Sequence, residues 1–478
     1  MSERYNNVVI GAGSAGLISA YISAAVKAKV ALIEKHKMGG DCLNFGCVPS
    51  KALIRTARFV HDIRRHAELG VKSASCEVDL AQVMDRVKQK IATIEPHDSI
   101  ERYTSLGVEC VTGHAEIVDP HTVKVKNQIL KTNNIILAMG ASPAVPPIKG
   151  LEQITYRSSD NLWDMRDLPK RFIVLGGGPI GCEMAQAFAR LGSQVTQIEM
   201  GRRILEREDE DIASFVIQRF QEEGIKLLTQ AKATEVRIVE GSEKILICDT
   251  PQGEIKVPFD EILIAVGRKA NTGGFNWENL GIELNPNGTI KVDEYLRTHQ
   301  KNIYACGDLI SPYQFTHTAS HQAWYCAVNS LFSPLKKFKV DYSVIPWCTF
   351  TDPEIAQVGM NETMAKQMGI DYEVTSYDMS DLDRAITESE NYGVLKVLTK
   401  PGSDKIIGAT IVSHLAGELI GEFVQAMKNN IGLNKILGTI HAYPTFIEAN
   451  KAAAGVWKKA HAPQWALSLL ERFHRMRR

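Results

Sequence analysis

Two segments of the chain follow the same order of apolar, glycine and polar positions. In VVIGAGSAGL (8–17) and FIVLGGGPIG (172–181) a short apolar run enters a G-x-G-x-x-G turn, and small and apolar residues continue behind it. A second apolar run then ends in an acid, Glu34 or Glu199, in both cases 18 residues after the last glycine. The pattern predicts two strand–turn–helix–strand units. Their glycines are Gly11, Gly13 and Gly16 in the first unit and Gly176, Gly178 and Gly181 in the second.

The chemistry of this motif favours dinucleotide binding. Glycines let the backbone approach a pyrophosphate, the helix N-terminus offers free N–H groups, and an acid about 20 residues further on accepts ribose hydroxyls. One such motif is weak evidence, because many turns contain three glycines, whereas two in the same strand–helix context are specific. The sequence therefore predicts an α/β protein with two Rossmann-like dinucleotide-binding domains.

Three further apolar runs are predicted to be buried strands of these domains. IILAMGASP (135–143) and ILIAVGRKAN (262–271) end in glycine turns, and we expect Gly140 and Gly267 to lie beside bound dinucleotides. NIYACGDL brings Asp308 to the carboxyl end of its strand, where ligands bind in open α/β sheets. A helix N-cap is an equally good interpretation of Asp308.

The pattern of the chain changes near residue 345. PWCTFTDPEIAQVG, GVLKVLT and IIGATIVSH are β-rich runs in succession, and AGELIGEFVQAMKNN has apolar residues at helical spacing. This predicts a C-terminal α+β domain over residues 345–478. We expect the remainder to divide into a first dinucleotide domain (1–150), a second one (151–270) and a central region (271–344) that completes the first.

Composition and charge argue against several classes of protein. Among 478 residues, Lys+Arg and Asp+Glu both total 55, so no global field favours nucleic acid or an anionic membrane. The start, MSERYNNVVIGAG, lacks the charged and apolar regions of a signal peptide. Nine scattered cysteines do not make a secreted disulfide framework. We expect a cytoplasmic protein, in which a close cysteine pair is catalytic rather than structural.

Such a pair lies in GGDCLNFGCVPSK (39–51). In a regular helix the Cα atoms of Cys42 and Cys47 would be roughly 8–9 Å apart, beyond the ~7 Å that a disulfide spans. A bridge therefore requires a distorted helix, which Gly46 and Pro49 permit, and such a bridge is easily reduced. The preceding glycines favour a helix start, where N–H groups stabilise a thiolate. Spacing alone leaves two free core cysteines as the alternative.

This segment closely resembles the redox-active segment of the class I flavoprotein disulfide reductases, the family of dihydrolipoamide dehydrogenase, glutathione reductase and mercuric reductase. The resemblance spans nearly the whole chain. It implies FAD on the first glycine motif, with Glu34 on the adenosine ribose and Asp308 near the ribityl chain, and NAD(P)H on the second motif. It also implies a homodimer in which the C-terminal dimerisation domain completes the partner's active site.

The same resemblance implies roles for four side chains. Cys47 lies against the flavin, and Cys42 is the interchange thiol that meets the substrate. Lys51 matches the lysine near flavin N5, and Glu183 matches the glutamate that pairs with it. These roles follow from the resemblance and not from the spacing.

The acid of the second unit favours NADH over NADPH. A carboxylate at Glu199 repels a 2′-phosphate and accepts hydrogen bonds from a ribose 2′-hydroxyl. Arg202 and Arg203 follow closely, however, and their charge leaves NADPH open.

The segment HAYPTFIEANK departs from part of the family. Dihydrolipoamide dehydrogenase and glutathione reductase have a His-Pro step followed by a glutamate, and that histidine is the general base for dithiols. Here Pro444 and Glu448 match, but Tyr443 stands at the base position. A tyrosine, with a pKa of ~10, is a poor base at neutral pH. His441 is an alternative base, although a hydrogen-bonded structural role is commoner for such a histidine.

A tyrosine at this position is similar to mercuric reductases, but their C-terminal vicinal cysteine pair is missing, since the last cysteine is Cys348. We expect an FAD-dependent NAD(P)H oxidoreductase that passes electrons through Cys47 and Cys42 to a disulfide or a soft-metal acceptor such as Hg(II). Dihydrolipoamide dehydrogenase is one alternative. A flavin and disulfide redox sensor without steady turnover is another.

The C-terminal tail is basic and amphipathic. From Lys458 to Arg478 it has six Lys or Arg residues against one acid, with apolar residues interleaved. Contact with a membrane surface is one interpretation. A terminal helix packed on its own dimer is the favoured one, because most apolar stripes are packing faces.

Overall fold

The computed structural model describes residues 4–239, 241, 243–310 and 312–478. Its helices and strands build two parallel-sheet domains and a C-terminal antiparallel-sheet domain, as the sequence predicts. The first domain begins with β1 (Tyr5–Ile10), α1 (Ser14–Ala25), β2 (Val30–Glu34), α2 (Gly40–Asn44), α3 (Cys47–Arg64), α4 (Leu80–Ile94), α5 (Ile100–Ser105), β3 (Val108–Thr112), β4 (Ala115–Asp119), β5 (Thr122–Val125), β6 (Gln128–Leu137) and β7 (Ala141–Pro143).

The second domain repeats the nucleotide-binding topology with an added antiparallel sheet. Its elements are β8 (Arg171–Leu175), α6 (Pro179–Leu191), β9 (Gln194–Ile198), α7 (Glu210–Glu222), β10 (Lys226–Leu228), β11 (Lys232–Ile238), β12 (Lys244–Thr250), β13 (Gly253–Phe259) and β14 (Glu261–Ile264). The short strand β15 (Arg268–Ala270) follows, and the central region then contributes β16 (Ile303–Ala305) and α8 (Thr316–Phe332).

The C-terminal domain is an antiparallel sheet covered by helices. Its elements are β17 (Pro346–Thr349), β18 (Glu354–Gly359), α9 (Glu362–Met368), β19 (Glu373–Asp378), α10 (Asp383–Thr387), β20 (Val394–Thr399), β21 (Ile406–Ser413), α11 (Ala416–Lys428), α12 (Leu433–Gly438), α13 (Glu448–Ala460) and α14 (Gln464–Met476).

The central strands of both nucleotide domains are apolar because helices cover both of their faces. In the first sheet the order is β3-β2-β1-β6-β5-β4, with β16 paired to β6, so the central region adds a strand to the first domain. In the second, β10-β9-β8-β14 run parallel. In each sheet the glycine turn follows a central strand, at the carboxyl end where open α/β sheets bind ligands.

Apolar packing and a buried ion network join the domains. One core cluster combines side chains of α3 and α4 with those of α6 and includes Ile355 and Val412 of the C-terminal sheet. Arg190 on α6 pairs with Glu223 at 2.6 Å and with Asp352 at 2.8 Å, and all three side chains are largely buried. The Arg190 guanidinium holds the pKa of Asp352 well below its usual range against the opposing effect of burial.

Within the part of the chain that the structure describes, no helix combines the length and the apolar character needed to cross a lipid bilayer.

Candidate functional site

The first glycine turn is built so that only glycine fits at two of its positions. Gly11 has a φ of +101°, and a Cβ there would overlap the carbonyl oxygen of Ala138. A Cβ at Gly16 would overlap the carbonyl oxygen of Gly11. At Gly13 the nearest atom would be 3.8 Å away, and no side chain caps the helix α1 that begins behind it. The uncapped N–H groups of α1 and the space beside Gly13 form a cradle that fits a pyrophosphate.

The second turn has the same design. Gly176 has a φ of +119°, and a Cβ at Gly181 would overlap the carbonyl oxygen of Gly176. A Cβ at Gly178 would meet nothing within 4 Å, and α6 begins there with Pro179 and without a side-chain cap. The two turns therefore offer two separate cradles of one chemical type.

Each predicted acid is held at the end of its strand by backbone N–H groups. Glu34 accepts hydrogen bonds from the N–H of Ala12 at 2.7 Å and of His36 at 2.7 Å. Glu199 accepts from the N–H of Gly177 at 2.5 Å and of Gly201 at 2.6 Å. Both carboxylates line the same cleft as the glycine turns, in position to receive a ribose.

The two arginines behind Glu199 differ in their surroundings. Arg203 donates to the carbonyl oxygens of Leu205 at 2.6 Å and of Glu208 at 2.5 Å, so its guanidinium is committed to the backbone. The side chain of Arg202 is exposed and does not line the cleft, as the described residues define it.

The helix is broken between the two cysteines, as the sequence requires for a redox pair. Cys42 lies in the short helix α2, which ends at Asn44, and Cys47 is the first residue of α3. The N–H of Gly46 donates to the carbonyl oxygen of Asp41 at 2.7 Å and closes the turn between them. Both sulfurs are thiols here, and both residues line the cleft.

The surroundings of the pair stabilise a thiolate on Cys47. The pKa of Cys47 is lowered to about 6, first by a hydrogen bond from the Cys42 thiol, then by Thr316 and by the charge of Lys51. The Thr316 hydroxyl lies 3.4 Å from the Cys47 sulfur. The hydrogen bond to Cys47 and burial raise the pKa of Cys42, so Cys42 keeps its proton while Cys47 is ionised.

Lys51, one turn along α3 from Cys47, forms an ion pair across the domain boundary. Its Nζ lies 2.9 Å from Glu183 on α6, and the Glu183 side chain is only 6% exposed. The second oxygen of Glu183 accepts from the N–H of Phe350 at 3.0 Å, and the ammonium sits 4.3 Å from the centre of the Phe350 ring. The Phe350 N–H orients the Glu183 carboxylate, and Glu183 and the Phe350 ring together fix the position of the Lys51 ammonium.

Asp308 forms another ion pair of the site, with Arg268. Arg268 lies 3.4 Å from Asp308 and 3.3 Å from Asp41, and it donates to the carbonyl oxygen of Ala141 at 2.6 Å. Burial raises the pKa of Asp308, and Arg268 opposes this shift. Asp308 follows β16 in a short 3₁₀ turn, so its carboxyl lies at the end of the sheet that ligands approach. Gly140 and Gly267 have φ values of +65° and +127° in the loops beside it.

One cleft of about 2230 Å³ is lined by residues of both glycine turns, both acids, the cysteine pair, Lys51, Glu183, Arg268 and Asp308. A pocket for one drug-sized ligand is ~300–1,000 Å³, so this cleft has room for more than one large ligand. The two glycine cradles, with Glu34 near one and Glu199 near the other, fit two dinucleotides. The same cleft is lined by Cys42 of α2, by Cys47 and Lys51 of α3 and by Glu183 of α6.

The C-terminal segment does not join this cleft within one chain. Tyr443 is 70% exposed, and its hydroxyl donates to Asp383 at 2.9 Å, which raises its pKa further above the ordinary value. Glu448 accepts from the N–H of Thr445 at 3.2 Å instead of contacting the phenol. Among described residues, the lining of the cleft includes none of Tyr443, His441 and Glu448.

His441 has a buried side chain that is hydrogen-bonded through both of its ring nitrogens. Its two ring nitrogens lie 3.1 Å from the carbonyl oxygen of Thr439 and 3.0 Å from Glu422, and its side chain is 5% exposed. The structure thus favours the hydrogen-bonded role over the role of a substitute base.

Sequence reasoning missed three side chains of the site. Thr316 is 269 positions from Cys47, and Phe350 is 167 positions from Glu183. Arg268 follows a glycine turn and contacts Asp308, which follows a later strand. The neighbouring sequence does not indicate which residue any of the three contacts. Arg268 alone has a partial signal, because a charged residue directly behind a buried strand lies where ligands bind in open α/β sheets.

Two dinucleotide cradles that meet at a dithiol and a lysine–glutamate pair define a two-nucleotide redox protein. Comparison with protein families agrees: residues 5–323 match the pyridine nucleotide-disulphide oxidoreductase model, and residues 345–454 match its dimerisation domain. The chain belongs to this family, the class I pyridine nucleotide-disulfide oxidoreductases, which are FAD-dependent and use NAD(P)H.

Named relatives divide between two activities. The chain is 32% identical to a mercuric reductase of Lysinibacillus sphaericus over 462 residues. This match covers 95% of the chain and 84% of the relative. It is also 32% identical to a dihydrolipoyl dehydrogenase of Chlamydia muridarum over 471 residues, a match that covers 97% of the chain and 99% of the relative. Among solved structures, the Cu(II) complex of the HOCl-induced flavoprotein disulfide reductase RclA from Escherichia coli matches with a TM-score of 0.83 and 26% identity, over 95% and 99% of the two chains.

Proposed function

We propose that this protein is an NADH-driven reductase in which Cys47 and Cys42 deliver electrons to a disulfide or to a soft-metal acceptor of the Hg(II) type. One observation carries the proposal. The cysteine pair, the Lys51–Glu183 ion pair and both glycine turns line a single cleft.

We infer that FAD occupies the first cradle, with Gly11, Gly13 and Gly16 at its pyrophosphate, Glu34 at its ribose and Asp308 near its ribityl chain. When bound, the flavin supplies two-electron transfer between a nicotinamide and a disulfide. Lys51, fixed by Glu183, provides a positive charge in the cleft where the electron pair arrives.

The chain's own residues perform the thiol chemistry. In the dithiol state one proton stays on Cys42, and Cys47 is a thiolate at neutral pH because its pKa is about 6. Transfer of the Cys42 proton to Cys47 makes Cys42 nucleophilic. Cys42 attacks a disulfide acceptor and displaces one thiolate, which takes the proton from Cys47. The Cys47 thiolate then attacks the Cys42 sulfur and displaces the second thiolate, which takes a proton from water. The enzyme pair ends as a disulfide, and the acceptor leaves as two thiols.

The second cradle favours NADH. The Glu199 carboxylate accepts two backbone hydrogen bonds, which fix it where a ribose would meet it. The Arg203 guanidinium is committed to backbone carbonyls and is not free to bind a 2′-phosphate. Arg207 and Lys232 are exposed cations that also line the cleft, so the preference for NADH rests on Glu199.

A metal-ion acceptor is supported by two observations. Soft thiolates such as Cys47 bind soft metal ions. Several relatives are mercuric reductases, and the RclA structure is a Cu(II) complex. Tyr443 in place of a histidine base disfavours dithiol oxidation, although the match to dihydrolipoyl dehydrogenases keeps that activity as the second candidate. We further propose that the chain is a homodimer and that Tyr443 faces the partner's cleft.

Steady-state oxidation of NADH and of NADPH tests the proposal. The acceptors should be a Hg(II)–thiol complex, Cu(II), glutathione disulfide and lipoamide, with Cys42→Ser as the control. We expect continuous NADH-driven turnover with at least one of them, slower turnover with NADPH, and loss of acceptor reduction in the control. One round of reduction without turnover on any acceptor would support a redox sensor instead.

A further inference from the structure

The C-terminal helix α14 is not part of the core that the described residues form. None of its residues is buried. Trp465 and Met476 are 70% and 80% exposed, and Leu469 is 60% exposed. By contrast, the preceding helix α13 packs Trp457 into the core of the C-terminal domain. Exposed apolar residues along one side of a helix mark a surface that contacts another molecule.

The exposed apolar residues form one stripe. At 100° per residue, Trp465, Leu469, Phe473 and Met476 fall within one third of the helix circumference. Leu470 lies about 60° beyond Phe473. Leu467 lies apart from them on the polar side. We call the set Trp465, Leu469, Leu470, Phe473 and Met476 the α14 stripe.

The rest of the tail is basic. Arg475 lies on the polar side of α14 and Arg472 at the border between the polar side and Trp465. Arg477 and Arg478 follow the helix, and Lys458 and Lys459 are exposed at the end of α13. The single acid, Glu471, is paired with Arg475 at 2.8 Å. Because the whole chain has no net charge, this excess of positive charge is a local feature.

We propose that α14 lies in the surface of an anionic lipid bilayer, with the α14 stripe at the acyl boundary and the basic residues among the headgroups. A tryptophan and a phenylalanine on the apolar side, with basic residues at its border, on the polar side and at the helix end, are the composition of an interfacial helix. A second copy of the chain is the competing occupant. It is disfavoured because the family's dimerisation domain ends at residue 454, ten residues before α14 begins, and because a basic tail requires an acidic partner.

Co-sedimentation of the full-length holoprotein with vesicles tests this proposal. The vesicles should be phosphatidylcholine with and without phosphatidylserine. We expect binding to the anionic vesicles at about 0.1 M salt and release at about 1 M, where the Debye length falls from ~10 Å to ~3 Å. Each Arg472→Gln or Arg475→Gln change should weaken binding by about fivefold.

A matched pair of variants separates the stripe from general hydrophobicity. Leu469→Gln should abolish most vesicle binding, whereas Leu467→Gln removes the same side chain from the polar side and should leave it unchanged. Both residues are exposed, so neither change disturbs the core. NADH oxidation in solution should be unaltered in both.

Two results would overturn the proposal. One is a wild-type protein that stays in the supernatant with anionic vesicles. The other is a fall in molar mass from dimer to monomer on Leu469→Gln, measured by light scattering, which would assign the stripe to a second copy.

Discussion

A single hydroxyl, far away in sequence, helps to set the reactivity of Cys47. The Cys47 thiolate receives a hydrogen bond from Cys42, another from Thr316 and the field of Lys51, and these outweigh the cost of burial. Thr316 lies at the first position of α8, so the central region, and not the cysteine segment, supplies this donor.

Thr316→Val should raise the Cys47 pKa above its value of about 6. A hydrogen bond to a charged group contributes ~1.5 kcal/mol or more, so alkylation of Cys47 at pH 6 should slow by about tenfold. Mass spectrometry of the labelled peptide, in reduced protein across a pH series, measures this. Thr318→Val is the control, because the buried Thr318 hydroxyl has no hydrogen-bond partner among the described residues. Equal shifts in both variants would contradict the role of Thr316.

Local motifs predicted the site only where its residues are close in sequence. The glycine turns, Glu34, Glu199 and the cysteine spacing are local, and the backbone physics of the turns dictates them. The Lys51–Glu183 pair joins residues 132 positions apart, so only the family resemblance indicated it. Neither the local motifs nor the family resemblance indicated the contacts of Phe350 and Arg268, because the sequence around a residue does not specify which distant loop packs against it.

At the level of elements, each glycine turn contains one glycine that the fold requires and one that leaves space for a ligand. Gly16 is needed for α1 to pack against the turn, whereas Gly13 faces open space. The same division holds for Gly181 and Gly178 in the second unit.

Gly13→Ala and Gly16→Ala should therefore fail in different ways. Gly16→Ala places a Cβ against the Gly11 carbonyl and should prevent stable folding of the first domain. Gly13→Ala costs α1 about 1 kcal/mol or less at its N-cap, but its methyl group fills the cradle, so the protein should fold with most of its FAD lost. Circular dichroism and flavin content per chain distinguish the two. Full flavin retention in Gly13→Ala would argue against FAD in this cradle.

At the level of the whole molecule, the C-terminal domain exposes Tyr443 at the surface of its own chain. Tyr443 is exposed and apart from its own chain's cleft, and the chain carries the family's dimerisation domain. A partner subunit is therefore what would bring Tyr443 to a cysteine pair. Its hydroxyl is bound to Asp383, which raises the pKa of Tyr443 and makes it a still poorer base.

Tyr443→His should raise turnover of dihydrolipoamide, because a well-placed base contributes ~10² to 10⁴ in rate. Reduction of a Hg(II)–thiol complex needs no such proton removal and should not gain. Turnover of both substrates, in wild type and variant, measures the difference. A wild-type enzyme that already oxidises dihydrolipoamide as fast as the variant would show that another group is the base.

The central claim is that Cys47 faces the flavin and Cys42 faces the acceptor, and absorption spectra of two variants test it most directly. In Cys42→Ser the Cys47 thiolate is permanently free, so a long-wavelength thiolate-to-flavin charge-transfer band should be present without reductant and should fade as the pH falls through the Cys47 pKa. In Cys47→Ser the band should be absent even after one equivalent of NADH. The opposite assignment, with the band in Cys47→Ser and none in Cys42→Ser, would contradict the account.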